Sequence, residues 1–151
     1  MSLLEFVSAL AEPSAYAVIL TSVEPAPAGP RILYVNPAFE RLTGYSAAEV
    51  VGGTPRVLQG RDTSASTLTR MRQAIRRGQP CQVVVVNYRK NGEPYRCAIA
   101  LFPIAGPDGT PVAFAAIEHE EARRPGRRVR GPRLGQGLEG PIGQLAKAGG
   151  G

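Results

Sequence analysis

The chain of 151 residues has no tryptophan, one histidine and only two cysteines. Cys81 and Cys97 are too few for a disulfide framework, and their spacing fits no zinc pattern. With His119 the only histidine, neither zinc nor histidine-ligated haem has more than one candidate ligand. No apolar run approaches the roughly 18 residues of a membrane span. Residues 1–10 carry Glu5 but no Lys or Arg, unlike the basic start of a signal peptide. A reducing, cytoplasmic setting is therefore expected. Gly-x-Gly-x-x-Gly and phosphate-loop motifs are missing, as are a nucleophile elbow and a paired-carboxylate motif. A nucleophilic cysteine would need a histidine, and the single one stands near the end of the structured part. The chain is not expected to be an enzyme.

What the sequence does hold is enough for a packed domain. Hydrophobic residues make up 43% and charged residues 20%, which argues against wholesale disorder. The net charge of +6 is unevenly placed. Residues 119–151 contain seven Lys/Arg against three Glu, together with nine of the 18 glycines, so most of the basicity belongs to a tail.

Turn and cap residues divide the rest. Ser2–Leu10 reads as a short helix with Leu3, Leu4, Phe6, Val7 and Leu10 as its apolar stripe, ended by Glu12-Pro13. Tyr16–Thr21 and Arg31–Val35 read as strands around a proline-rich loop. Asn36-Pro37 is a cap followed by proline at the first helical position, opening a helix over Pro37–Thr43 that Gly44 stops. Ser46 and Glu49 form a capping box, and Thr54–Leu58 adds one turn. The longest helix is expected over Thr63–Arg77, closed by Gly78. Its apolar stripe is Leu68, Met71 and Ile75; Arg72 stands at the stripe's edge, while Arg70, Arg76 and Arg77 suit solvent. Strands follow at Cys81–Lys90, Pro94–Ile104 and Val112–Glu118. Hairpin-linked strands with helices segregated between them indicate an α+β domain, with an antiparallel sheet of about five strands.

The Asn91-Gly92 hairpin allows two registers. A three-residue loop pairing Lys90 with Pro94, and so Asn87 with Cys97, keeps Arg96 off the apolar face; it is the expected one. The face it defines holds Val83, Val85, Asn87, Cys97, Ile99 and Leu101, which suits either a ligand-pocket floor or an ordinary core with one satisfied amide. Cys97 reads as a small buried hydrophobe rather than a reactive thiol.

The run Ile32-Leu33-Tyr34-Val35-Asn36-Pro37-Ala38-Phe39, continued by Leu42-Thr43-Gly44-Tyr45-Ser46-Ala47-Ala48-Glu49, resembles the entry of a PAS sensor domain. Arg56-Val57-Leu58-Gln59-Gly60, Asp62-Thr63, Met71-Arg72-Gln73-Ala74-Ile75 and Asn87-Tyr88-Arg89-Lys90-Asn91-Gly92 narrow the resemblance to the light-oxygen-voltage branch, which holds flavin mononucleotide (FMN) and senses blue light. The match runs from about Tyr16 to Glu118.

The resemblance implies that Arg56 and Arg72 contact the flavin phosphate. It also implies that Thr54, Gln59, Asn87, Cys97 and Glu118 stand at flavin-binding positions. Several of these depart from the family's pattern. Pro55 occupies the place of the photoactive cysteine, so no sulfur–flavin adduct is expected there. Thr54 and Cys97 replace amides, and Glu118 replaces a glutamine.

Residues 1–12 are then an N-terminal helical cap, 13–120 the sensor domain, and 121–151 a basic Gly/Pro-rich tail expected to be disordered. Two readings stay open: a flavin-binding light or redox sensor working without the cysteine adduct, and a flavin-free module for dimerisation or protein docking. A homodimer through the sheet face or the N-terminal helix is plausible in either. The basic tail reads as a solubilising extension or linker, or as a contact for nucleic acid or an anionic surface.

Overall fold

A computed structural model describes residues 1–25 and 27–122. Five antiparallel strands form one sheet in the order β2-β1-β5-β4-β3: β1 Ala17–Thr21, β2 Ile32–Val35, β3 Cys81–Tyr88, β4 Pro94–Ala105 and β5 Pro111–Glu120. The helices are α1 (Leu3–Ala11), α2 (Pro37–Thr43), α3 (Ala47–Val50) and α4 (Ala65–Arg77), with a 3-10 turn at Pro55–Leu58. This is the expected α+β arrangement.

The punctuation residues act where they stand. Asn36 is fully buried, and its side-chain oxygen accepts from Phe39 N (3.1 Å) and Val18 N (2.8 Å). Its amide donates to the carbonyls of Ala11 and Tyr16, both at 2.9 Å. One side chain thus caps α2 and ties it to β1 and to the end of α1. Ser46 and Glu49 make the capping box of α3, and Gly44 ends α2 at φ 79°.

The inner face of the sheet carries the main core, with Ile19, Val83, Val85, Ile99, Leu101 and Phe114 packed under Phe39 and Leu58, and Met71 and Ile75 of α4 against it. A smaller cluster of Leu20, Ala113 and Ala115 lies on the outer face, where Val7 of α1 packs. Val7 is the α1 residue packed there, and Ala11, one helical turn on, is buried at the end of the helix. The expected apolar stripe of α1 is otherwise unpacked, with Leu3, Leu4, Phe6 and Leu10 exposed.

The β3–β4 hairpin corrects the expected register. Asn87 pairs with Tyr95, and Cys97 with Val85. The loop does have three residues, but they are Lys90-Asn91-Gly92: Arg89 N donates to Glu93 O and Gly92 N to Arg89 O, each at 2.9 Å. Gly92, at φ 88°, takes the left-handed position that ends such a loop. The register therefore slips by two residues, which leaves every side chain on its expected face. Arg96 is exposed as expected.

Candidate functional site

Four of the seven expected site residues line one cavity. Thr54, Arg56 and Gln59 come from the 3-10 turn and its flanks, and Arg72 from α4. The cavity has a volume of about 430 Å³, and Leu68, Met71 and Ile75 form its apolar side. Pro55 is also in its wall. Opposite α4 runs the proline-containing loop, through Val23, Glu24, Pro25, Gly29 and Pro30. Arg76 lines the cavity as well, although helical spacing had assigned it to solvent. No signal in the α4 sequence reveals this, because the facing wall comes from a segment more than forty residues away.

The cavity is electropositive. Among the described residues Arg56, Arg72 and Arg76 have no ion-pair partner, and the one acid in the wall, Glu24, is engaged by Arg31 at 2.7 and 3.1 Å. Unpaired guanidinium groups converging on a concavity suit an external phosphate.

The other three residues lie on the inner sheet face. Asn87 of β3, Cys97 of β4 and Glu118 of β5 are 4%, 0% and 4% exposed. The Cys97 thiol donates to Glu118 Oε1 at 3.2 Å. Burial lifts the Glu118 carboxyl to a pKa of about 7, an effect that the thiol's hydrogen bond partly offsets. Burial, with the neighbouring Glu118 charge, drives the Cys97 thiol far above the ordinary range, so it is inert as a nucleophile.

Tyr95 joins this group, and the sequence reading had missed it. Its hydroxyl is buried and has no hydrogen-bond partner. Burial, with the neighbouring Cys97 and Glu118 charges, pushes the Tyr95 phenol well up, and the cross-strand Asn87 amide opposes this only in part. The Arg89 guanidinium sits 4.3 Å from the Tyr95 ring centroid. Arg89 also donates to Leu42 O (2.7 Å) and pairs with Glu93 (3.0 Å) and Glu120 (2.6 Å). It joins the end of α2, the hairpin and the end of β5.

The floor therefore contains an amide, a carboxyl and a phenol buried among aliphatic side chains, and the phenol lacks a partner. Buried polar groups without partners are costly, so a polar heteroaromatic ligand would complete them. Asn87, Cys97 and Glu118 do not line the arginine cavity; apolar residues of the core cluster adjoin both groups. This donor set fits a flavin in kind: arginines for the phosphate, and amide and carboxyl groups for a ring edge. Among the described residues no group of three or more His, Cys, Asp or Glu could hold a metal ion.

The PAS domain family profile matches residues 18–121. Blue-light-activated histidine kinase 1 of Erythrobacter litoralis is 43% identical over 79 residues, covering 52% of this chain and 22% of that protein. The Rhodobacter sphaeroides LOV protein superposes with a TM-score of 0.73 at 32% identity, over 80% of this chain and 68% of that one. The LOV domain of the Erythrobacter litoralis EL346 blue-light-activated histidine kinase gives 0.66 at 29% identity, over 72% and 97%. The match spans 22% of that histidine kinase and 10% of phototropin-2 from rice. No helix among the described residues is long and apolar enough to cross a membrane. Fold, motifs and relatives agree: the chain belongs to the PAS domain family, in its light-oxygen-voltage branch.

Proposed function

We propose that this domain holds FMN and senses light or redox state without forming a cysteinyl–flavin adduct. The observation that carries the reading is the pairing of an unpartnered arginine cavity with a buried polar floor across the same core. Arg56 and Arg72 hold the phosphate, Thr54 and Gln59 flank the entry, and Asn87, Cys97 and Glu118 face the ring. The flavin, when bound, supplies the light absorption and electron acceptance. Glu118 answers it by holding or releasing a proton on its carboxyl, and the change passes along β5 to Glu120 and the Arg89 junction. With Pro55 in the photoactive position and neither cysteine in that turn, no thiol is available there.

The domain acts in the cytoplasm and passes its signal to a separate or attached output protein. It pairs with a second copy through the outer sheet face, where Val84, Phe102 and Ile117 are exposed beside the apolar residues of α1. The basic segment beyond Ala122 lies outside the described residues; it serves as a linker or solubilising extension rather than as a nucleic-acid contact. A flavin-free interaction module is the second reading. The observation favouring it is that Cys97 and Glu118 satisfy one another within the chain.

Titrating the protein into FMN separates the two. Saturable quenching of flavin fluorescence supports the sensor, and none up to a large protein excess supports the flavin-free module.

A further inference from the structure

We propose that Tyr95 is the electron donor of the light response: it gives one electron to the photoexcited flavin, while its phenolic proton moves by way of Cys97 to Glu118. The inference rests on the flavin reading and adds the reductant that a response without a cysteine adduct requires.

The sequence narrows the choice of donor. In a chain without tryptophan, tyrosine is the most readily oxidised aromatic side chain, and there are five. Tyr16 is exposed. Tyr34 packs on the outer sheet face and donates to Glu12 at 3.0 Å. The Tyr88 hydroxyl accepts from Asp62 N at 2.8 Å, and Tyr45 is only partly buried against the core. Tyr95 is 5% exposed and pairs across the strands with Asn87. Two residues of β4 separate it from Cys97, about 7 Å along the strand. Tyr95 therefore stands beside the side chains that face the ring.

Its surroundings suit loss of an electron together with a proton. A phenol that lost the electron alone would carry a positive charge on a ring 4.3 Å from the Arg89 guanidinium. Repulsion between two cations at that separation in a shielded site disfavours this route. Release of the proton leaves the ring neutral. The hydroxyl is buried without a hydrogen-bond partner, so its proton is not held by another group. The Tyr95 phenol is near enough to the Cys97 sulfur to ease ionisation of the thiol in part, and that thiol donates to Glu118 Oε1 at 3.2 Å. Phenol, thiol and carboxylate thus follow one another.

The step balances. The O–H bond of Tyr95 breaks and a new S–H bond forms at Cys97 as the old one breaks; an O–H bond forms on the Glu118 carboxylate. Tyr95 is oxidised by one electron and the flavin reduced by one, while the thiol ends as it began. Cys97 passes a proton without becoming a thiolate, as its burial requires. In the dark the electron and the proton return, which restores Tyr95 and Glu118.

The test uses the full chain with FMN, binding being verified by comigration on gel filtration. Tyr95→Phe keeps the ring beside Arg89 and removes only the unpartnered hydroxyl, so urea denaturation should show no loss of stability. FMN bound to this variant should have a severalfold longer fluorescence lifetime than in the parent protein. The tyrosyl radical trapped by freezing under blue light should vanish from its electron paramagnetic resonance spectrum. Tyr45→Phe should change neither. Cys97→Ala should slow radical formation severalfold, and Cys97→Ser should restore it. Bound FMN with an unchanged lifetime and radical in Tyr95→Phe, or equal effects in Tyr45→Phe, overturns the donor and leaves the flavin reading intact. An unchanged rate in Cys97→Ala overturns the proton route. Failure of FMN to travel with the protein overturns the donor and the flavin reading together.

Discussion

Cys97 and Glu118 meet between neighbouring strands inside the core, thiol sulfur to carboxylate oxygen at 3.2 Å, with both residues almost fully shielded from solvent. Each alters the other. The carboxylate charge makes the thiol harder to ionise, and the thiol hydrogen bond makes the carboxyl somewhat easier to ionise.

The Glu118 carboxyl gives folding stability a defined pH dependence. Its pKa rises from 4.5 to about 7 on folding, so between these values the folded state binds more protons than the unfolded one. Stability contributed by this group is complete below pH 4.5 and falls as pH rises towards 7, by up to about 3 kcal/mol. Glu118→Gln should flatten that decline and stabilise the protein at pH 8. Urea denaturation across pH checks it; an unchanged slope in the variant would mean the carboxyl is hydrated.

The two thiols should differ sharply in reactivity. Cys81 is half-buried at the start of β3, while Cys97 is fully buried with a raised pKa. A disulfide reagent should label one thiol per native chain and two after denaturation. Rapid labelling of both in the native protein contradicts the buried pair. Cys97→Ala should raise the Glu118 midpoint further, since it removes the hydrogen bond that favours the carboxylate.

Asn36 is the structural counterpart of these groups. Its four hydrogen bonds hold α1, β1 and α2 together in a site without solvent access. Asn36→Ala should cost about 3 kcal/mol, because it leaves buried backbone donors and acceptors unpaired. A loss below about 1 kcal/mol, measured by urea denaturation, would mean that water replaces the side chain.

Much of this was readable in advance because the chain marks its own boundaries. Asn36-Pro37, Gly44, the Ser46–Glu49 box and Gly78 are local signals, and each sits where its element begins or ends. Non-local facts were less accessible. The hairpin register depended on which residue of the loop adopts positive φ, a choice made by Gly92. Hydrophobic spacing in α1 marked five apolar residues without showing that the outer sheet face covers only Val7 of them. Alternation along β5 put Glu118 on the pocket side, whereas its meeting with Cys97 depended on how β4 and β5 are offset. Arg76 and Tyr95 escaped notice for the same reason, since their surroundings come from distant segments.

Arg72 should discriminate phosphate from its absence. It lines the cavity with Arg56 and has no acidic partner among the described residues. Arg72→Ala should weaken FMN binding roughly tenfold or more while changing riboflavin binding little. Equal losses for both ligands would make Arg72 a structural residue of α4.

The most direct measurement is the visible spectrum of the protein after mixing with FMN and gel filtration, recorded before and after blue illumination. The account predicts that flavin absorption travels with the protein peak, and that illumination leaves no thiol-adduct spectrum. A protein peak without flavin, under conditions where the chain is folded, contradicts the flavin sensor. An adduct in the unmodified chain contradicts the inert, buried Cys97 and the role given to Pro55.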